Sequence, residues 1–349
     1  MNKKTHCQKS IFWRWQYWGY FSLLLISVNC IAVETKVKQT QWVSIPLGVA
    51  GGIEENNLSA YLLAPAGSTD FICLDAGTLY QGLNVARQAG SFATITIPTD
   101  VNPAMYLLRQ HVKAYLISHA HLDHLNGLIL NATDDSAKPI LGLPIVLTDI
   151  QNNLFNWRIF PNFADAGVQP YLKKYHYITL EPATTVDIPN TSLKVTAFPL
   201  SHGKNYDSTA FLIQANEHYA LYLGDTGADS IENSDKLQQL WAYIAPLVKK
   251  QQLNGIFIES AYPNARPTNQ LYGHLTPALI LQSLQQLAQQ VDSEHPEQAL
   301  KDLTIIVTHI KPNTDTQIDN RALIQNELTE ENHLNLTFIL AEQGQRIEF

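Results

Sequence analysis

Short apolar runs closed by polar residues recur along the chain and predict a succession of buried strands. Gln41-Trp42-Val43-Ser44-Ile45-Pro46-Leu47-Gly48 reads as the first, leading to a turn at Gly51-Gly52. Ala60-Tyr61-Leu62-Leu63-Ala64 and Phe71-Ile72-Cys73-Leu74-Asp75 flank Pro65-Ala66-Gly67-Ser68 as a hairpin. Ala114-Tyr115-Leu116-Ile117, Ile140 to Leu147, Val195 to Ser201, Tyr219 to Gly224, Gly255 to Ile258 and Leu303 to Thr308 have the length and branched or aromatic content of further strands. Leu79 to Gln88 and Pro103 to Gln110 are patterned as helices. Thr148 is placed as the cap of a helix through Phe155, and Thr276 caps another that has Pro277 at its first position and runs to about Gln290. Asn156 to Tyr177 reads as an aromatic loop, whose rings either pack an edge or a dimer contact or stack on a flat ligand.

The polar residues that close these runs carry the chemistry. Ser118-His119-Ala120-His121-Leu122-Asp123-His124 follows the strand Ala114 to Ile117 and puts four potential metal ligands within six residues. If the backbone stays extended, alternation turns His119 and His121 to one side. Asp123 and His124 then open the next helix and diverge from that pair. Three later strands also end on ligand types, at His202, Asp225 and His309. Each alone reads as an ordinary strand-end residue. In this order behind the first cluster, they describe a metal-dependent hydrolase. Glu259 closes the strand Gly255 to Ile258 in the same way, and His274 lies beside a helix N-terminus, where free N–H groups and the helix dipole favour phosphate.

The order His-x-His-x-Asp-His, His, Asp, His resembles the metallo-β-lactamase superfamily. More narrowly, Ala120-His121-Leu122-Asp123-His124-Leu125-Asn126-Gly127-Leu128, Gly273-His274-Leu275-Thr276-Pro277 and Thr308-His309-Ile310-Lys311-Pro312 resemble the class II cyclic-nucleotide phosphodiesterases, with Gly51-Gly52 and Gly82-Leu83-Asn84-Val85 extending the likeness. Where that pattern continues past the first helix with Ser-Pro, this chain has Asn131-Ala132-Thr133. The resemblance implies an α/β fold, a single-domain four-layer αβ/βα sandwich with its metal site along one edge of two facing sheets. It also implies that Asp75 braces the metal-binding loop; the alternative is a simple turn aspartate.

Composition and the N-terminus narrow the setting. Lys3, Lys4, Lys9 and Arg14 precede an apolar stretch from Tyr17 to Val28, with small residues at Cys30 and Ala32. This is the pattern of a signal peptide over residues 1–32, leaving a phosphodiesterase domain over 33–349; an uncleaved anchor and lipidation at Cys30 are the alternatives. Of the 23 basic residues four lie in this leader and none of the 31 acidic ones do, so the remainder is more acidic than the whole chain, at about -12. Such a balance speaks against nucleic acid as a partner. Past the leader no second apolar run is long enough to span a membrane. Only Cys73 of the three cysteines lies beyond it, so secretion without an internal disulfide points to a bacterial periplasm.

The expected function is hydrolysis of 3',5'-cyclic nucleotides, cAMP with cGMP as a second substrate, to nucleoside 5'-monophosphates by a water activated between two divalent ions. The expected ligand sets are His119, His121 and His202 on one ion and Asp123, His124 and His309 on the other, with Asp225 bridging. Imidazoles combined with carboxylates suit zinc best, and manganese or iron fit the same ligands. His274 is the expected phosphate contact and general acid, acting with Asp123 and Asp225. The resemblance is compatible with a homodimer. The rivals are another hydrolase on this scaffold, acting on a different phosphodiester, a sulfate ester or a lactam, and a secreted metal-binding protein without catalysis.

Overall fold

In a computed structural model, residues 39–204 and 206–349 are described; the expected leader lies outside them. Their strands form two seven-stranded sheets. The first runs, from one edge, β14 (Ile347–Glu348), β1 (Trp42–Gly48), β2 (Ala60–Pro65), β3 (Phe71–Leu74), β4 (Val112–Leu116), β5 (Lys138–Gly142) and β6 (Tyr175–Thr179). The second runs β13 (Thr337–Leu340), β12 (Thr304–Thr308), β11 (Leu253–Glu259), β10 (His218–Tyr222), β9 (Asp207–Ala215), β8 (Lys194–Ser201) and β7 (Thr185–Asp187). Strands β3 to β6 are mutually parallel, as are β10 to β13, with helices in the connections.

Alternation along the second sheet shows how the layers are built. Phe257 of β11 and Ile306 of β12 belong to the apolar cluster shared with the first sheet, whereas Ile256, Ile258, Ile305 and Val307 pack with the helices Lys236–Lys249 and Pro277–Val291. A strand covered on both faces needs a continuous apolar run rather than an alternating one. The two sheets meet through aromatic rings: Tyr61 on β2 lies 5.7 Å from Tyr222 on β10 and 5.9 Å from Phe257 on β11. Each large apolar side chain buried this way contributes about 1.5–3 kcal/mol. The layers are those of the metallo-β-lactamase sandwich. No helix among the described residues is long and apolar enough to cross a membrane.

One expected strand is cut short. β5 stops at Gly142, and Pro144 stands at the first position of a helix, Pro144–Asp149, continued by a π-helical turn, Ile150–Leu154. Proline has no N–H to give a central strand but suits the first helical turn, so Leu143-Pro144 is where the chain leaves the sheet. Thr148 therefore lies inside that helix instead of capping one. In the aromatic segment, Phe163 and Tyr175 are buried in the core with Phe155, so these rings pack the fold. Thr276 does occupy the cap position of Pro277–Val291, but its side chain makes no capping hydrogen bond.

Candidate metal centre

The parallel strands β4, β10, β11 and β12 all point their C-terminal ends to one edge, and β8 ends there as well. The chain just past them supplies Ser118 and His119, Asp225, Ser260, His309 and His202. In open α/β sheets such an edge is where exposed loop ends gather side chains. The helix Leu122–Asn131 starts at this edge, with His121 at its cap position, Asp123 in its first turn and His124 buried.

The structure brings all seven expected ligands together. His119 Nε2 lies 3.0 Å from His121 Nδ1, and His202 Nε2 lies 3.3 Å from the same atom. Asp123, His124 and His309 form a second group, and in each group the ligand atoms fall within 4.8 Å of one another. Asp225 stands between them: its Oδ2 is 3.2 Å from His124 Nε2, 3.0 Å from His309 Nε2 and 3.8 Å from the Nε2 atoms of His119 and His202.

The outward nitrogens of these rings are held by the protein, and this fixes what the inner ones can do. His202 Nδ1–H donates to the carbonyl of Gly273 (2.8 Å), which can only accept, so Nε2 keeps its lone pair. His124 Nδ1–H donates to Asp75 Oδ2 at 2.8 Å. His309 Nδ1 pairs with Ser59 Oγ (2.8 Å) and His119 Nδ1 with Ser118 Oγ (3.0 Å). Asp75 is buried and also accepts from Ser118 N–H and Oγ–H, both at 2.7 Å, and from Tyr222 O–H at 2.5 Å. It thus ties the strand end to the helix through His124. Bracing of this kind sets ring orientation and tautomer in metal sites.

Close backbone approach completes the frame. A Cβ on Gly51 would stand 2.4 Å from His309 Nε2, so only glycine fits against that ring. Gly273, at φ +80°, passes Gly203 so tightly that a Cβ would meet its nitrogen at 2.2 Å.

The residues fit divalent cations on two observations. His124 Nε2, His309 Nε2 and Asp225 Oδ1 are buried polar atoms without a hydrogen-bond partner, and all belong to this cluster. The electrostatics agree. Burial, with neighbouring imidazoles, holds His119 and His309 well below the usual histidine range and lowers His121 to about 4. Burial also favours neutral His202 and lowers it. At Asp225 burial opposes ionisation, yet His124 and His309 outweigh it and hold the carboxyl well below its ordinary range. At His124 burial is likewise outweighed, by Asp225 and Asp75, which push that imidazole well up. Buried carboxylates among imidazoles draw positive charge to this point, which without a cation is a proton on His124.

Over residues 33–344 the chain matches the family model of the class-II cAMP phosphodiesterases. The chain belongs to this family. The phosphodiesterase is 38% identical over 331 residues to a 3',5'-cyclic-nucleotide phosphodiesterase of Aliivibrio fischeri, covering 93% of this chain and 98% of the relative. It is also 38% identical to a probable 3',5'-cyclic-nucleotide phosphodiesterase of Yersinia pestis, over 87% of this chain and 88% of that one. Among solved structures, unliganded yeast PDE1 superimposes with a TM-score of 0.77 at 24% identity, covering 89% of this chain and all of that one. The metallo-β-lactamase fold protein YhfI of Bacillus subtilis superimposes at 0.54 and 14% identity, over 89% and 100%.

Beside the ligand groups the phosphodiesterase places His274 and Glu259. His274 Nδ1 is 2.9 Å from Glu259 Oε1 and 3.8 Å from Asp225 Oδ2. Burial lowers His274, but Glu259 and Asp225 prevail and raise it. Glu259 itself accepts backbone N–H bonds from Thr226, Ala261 and Leu275, so its carboxylate ties His274 to these loops. Two groups at this site carry no sequence signal. Tyr206 lies flat on His121, 4.8 Å between centroids and 5° between planes, with its oxygen accepting from Ala120 N–H. Ser59, from the first hairpin, pairs with His309 across 250 positions of chain.

Proposed function

We propose that this centre holds two zinc ions and that the enzyme hydrolyses cAMP and cGMP to the 5'-monophosphates. The observation that carries the reading is the division of ligand atoms into two groups, His119/His121/His202 and Asp123/His124/His309, with Asp225 within reach of both. Divalent cations held there supply Lewis acidity and lower the pKa of water towards neutrality. The protein's part is to hold and orient. Asp75, Ser59, Ser118 and the Gly273 carbonyl fix four of the imidazoles. Asp123 is itself held by the N–H of Gly52, at 3.1 Å from its Oδ2.

His274 is the proton donor to the departing 3' oxygen. With Nδ1–H given to Glu259, the ring is fixed in plane and Nε2 is the nitrogen free to deliver a proton, while the carboxylate stabilises the imidazolium. Both His274 and Glu259 are buried, which strengthens the interaction between them. The test is metal analysis with product analysis. Two zinc ions per chain, 5'-AMP and 5'-GMP as sole products and loss of turnover with a chelator are expected; 3'-monophosphate, or a single ion at full activity, contradicts the reading.

The periplasm is the proposed location. The basic-then-apolar leader over 1–32 and the start of the family match at residue 33 support it. Protein recovered from the periplasm should begin at Val33; a chain beginning at Met1 contradicts cleavage.

A further inference from the structure

At the His121 group Tyr206 lies flat against the ligand ring, whereas at the His309 group the Gly51-Gly52 turn touches the ligands and also lines a cleft of about 590 Å³. Gly51 touches the His309 ring and Gly52 binds Asp123, so one wall of the cleft is also a wall of the metal centre. Tyr262 lines the cleft as well, and its ring is 6.0 Å from that of His274. The volume is that of a site for one small molecule.

The lining has a definite chemistry. Two cations, Lys311 and Arg266, line the cleft and no carboxylate does, although acidic residues outnumber basic ones in this chain. Among the described residues neither cation makes a side-chain ion pair. The Lys311 backbone is pinned at both ends, its N–H to the Ala261 carbonyl (3.1 Å) and its own carbonyl to Asn320 Nδ2 (2.8 Å). It therefore stands two residues from His309, at the junction of cleft and centre. The Arg266 guanidinium lies 4.6 Å over the Tyr262 ring and its Nε–H donates to the Gln270 carbonyl (3.1 Å), which fixes a flat aromatic and cationic plate. Ile53, Ile318 and Leu323 also line the cleft as exposed apolar side chains.

We propose that this cleft takes the purine and ribose of the cyclic nucleotide, with the Tyr262 and Arg266 plate against the base and Lys311 at the phosphate end. The inference rests on the cyclic-nucleotide reading and adds to it the residues that recognise the nucleoside. A base has flat apolar faces and a polar edge, and it gains stacking energy on aromatic and guanidinium surfaces. The phosphate end is anionic, and an unpaired ammonium beside the metal ligands is where that charge lies.

The test compares cAMP with a base-free probe, methyl ribofuranoside 3',5'-cyclic phosphate, which keeps the reacting ring and lacks the purine. In the zinc-loaded wild type kcat/KM for cAMP should exceed that for the probe by about tenfold or more, the scale of one base stacked on an aromatic side chain. Tyr262→Ala and, elsewhere in the cleft lining, Leu323→Trp, which fills the space of the base, should each bring that ratio to within about threefold of one, with metal content as in wild type. Lys311→Met should lower both substrates alike. A ratio near one in wild type, or a wild-type ratio kept in either cleft variant, overturns the inference. Hydrolysis of neither compound by wild type overturns the cyclic-nucleotide reading instead.

Discussion

Two of the buried polar clusters among the described residues are satisfied in different ways. In the first sheet, Asp135 accepts from Tyr115 O–H (2.7 Å) and Tyr175 O–H (2.9 Å) and pairs with Lys138 Nζ at 2.7 Å, while Lys138 also donates to the Leu108 carbonyl. Every charge there has its partner within the protein. At the strand-end edge, by contrast, imidazole nitrogens face one another and Asp225, and three buried atoms of the expected ligands are left without a hydrogen bond. The closed cluster holds the fold. The open one is shaped for a charge that the polypeptide does not itself provide, and the difference lies in whether donors and acceptors balance, not in burial.

Substitutions can break this contrast. The largest effect is expected at the open cluster: His274→Ala should cut turnover by about two orders of magnitude or more with metal content unchanged, the scale of losing a general acid. Full activity in that variant would remove His274 from the reaction. At the closed cluster, Asp135→Ala should leave the activity of the folded enzyme alone and reduce stability by about 3–5 kcal/mol, because Lys138 is left buried without its carboxylate. Denaturant unfolding beside a cAMP assay checks this; a fall in kcat without loss of stability would contradict it.

The smallest effect is a pH dependence that sharpens the same comparison. Burial and then Asp135 raise Tyr115 and Tyr175 well above the usual tyrosine range. A group raised on folding stabilises fully below its unfolded value and loses that contribution as pH climbs towards the folded one. Above pH about 10 each ring should therefore cost stability at up to about 1.4 kcal/mol per pH unit. Lys138 works the other way: burial lowers it, so its contribution grows until its unfolded value, the ordinary 10.5, and is constant beyond. Tyr115→Phe should make the alkaline fall in unfolding free energy shallower; an unchanged slope would show that this ring does not contribute.

Much of the centre was legible in the chain because its parts sit at points with a local signature. His119, His121, Asp123 and His124 follow one apolar run within six residues, and His202, Asp225 and His309 each close another, so strand patterning alone placed them at strand ends. Asp75 could be named as a brace only through resemblance, and the structure gives it four hydrogen bonds in that role, from two groups of Ser118, from His124 and from Tyr222. Ile140 to Leu147 reads as one strand because its apolar content is continuous, but the strand ends at Gly142, and Pro144 marks the break.

By itself, then, the sequence determined the kinds of ligand, the strand ends that carry them and the family. Those depend on residue type and on periods of a few residues. Which nitrogen of each imidazole faces inward, the pairing of Ser59 with His309, the plane of Tyr206 on His121 and the cleft between the Gly51-Gly52 turn and Tyr262 were decided only by the packing of one sheet on the other. Such contacts join positions up to 250 residues apart, and no local pattern fixes the distance between two surfaces that meet only after both have folded.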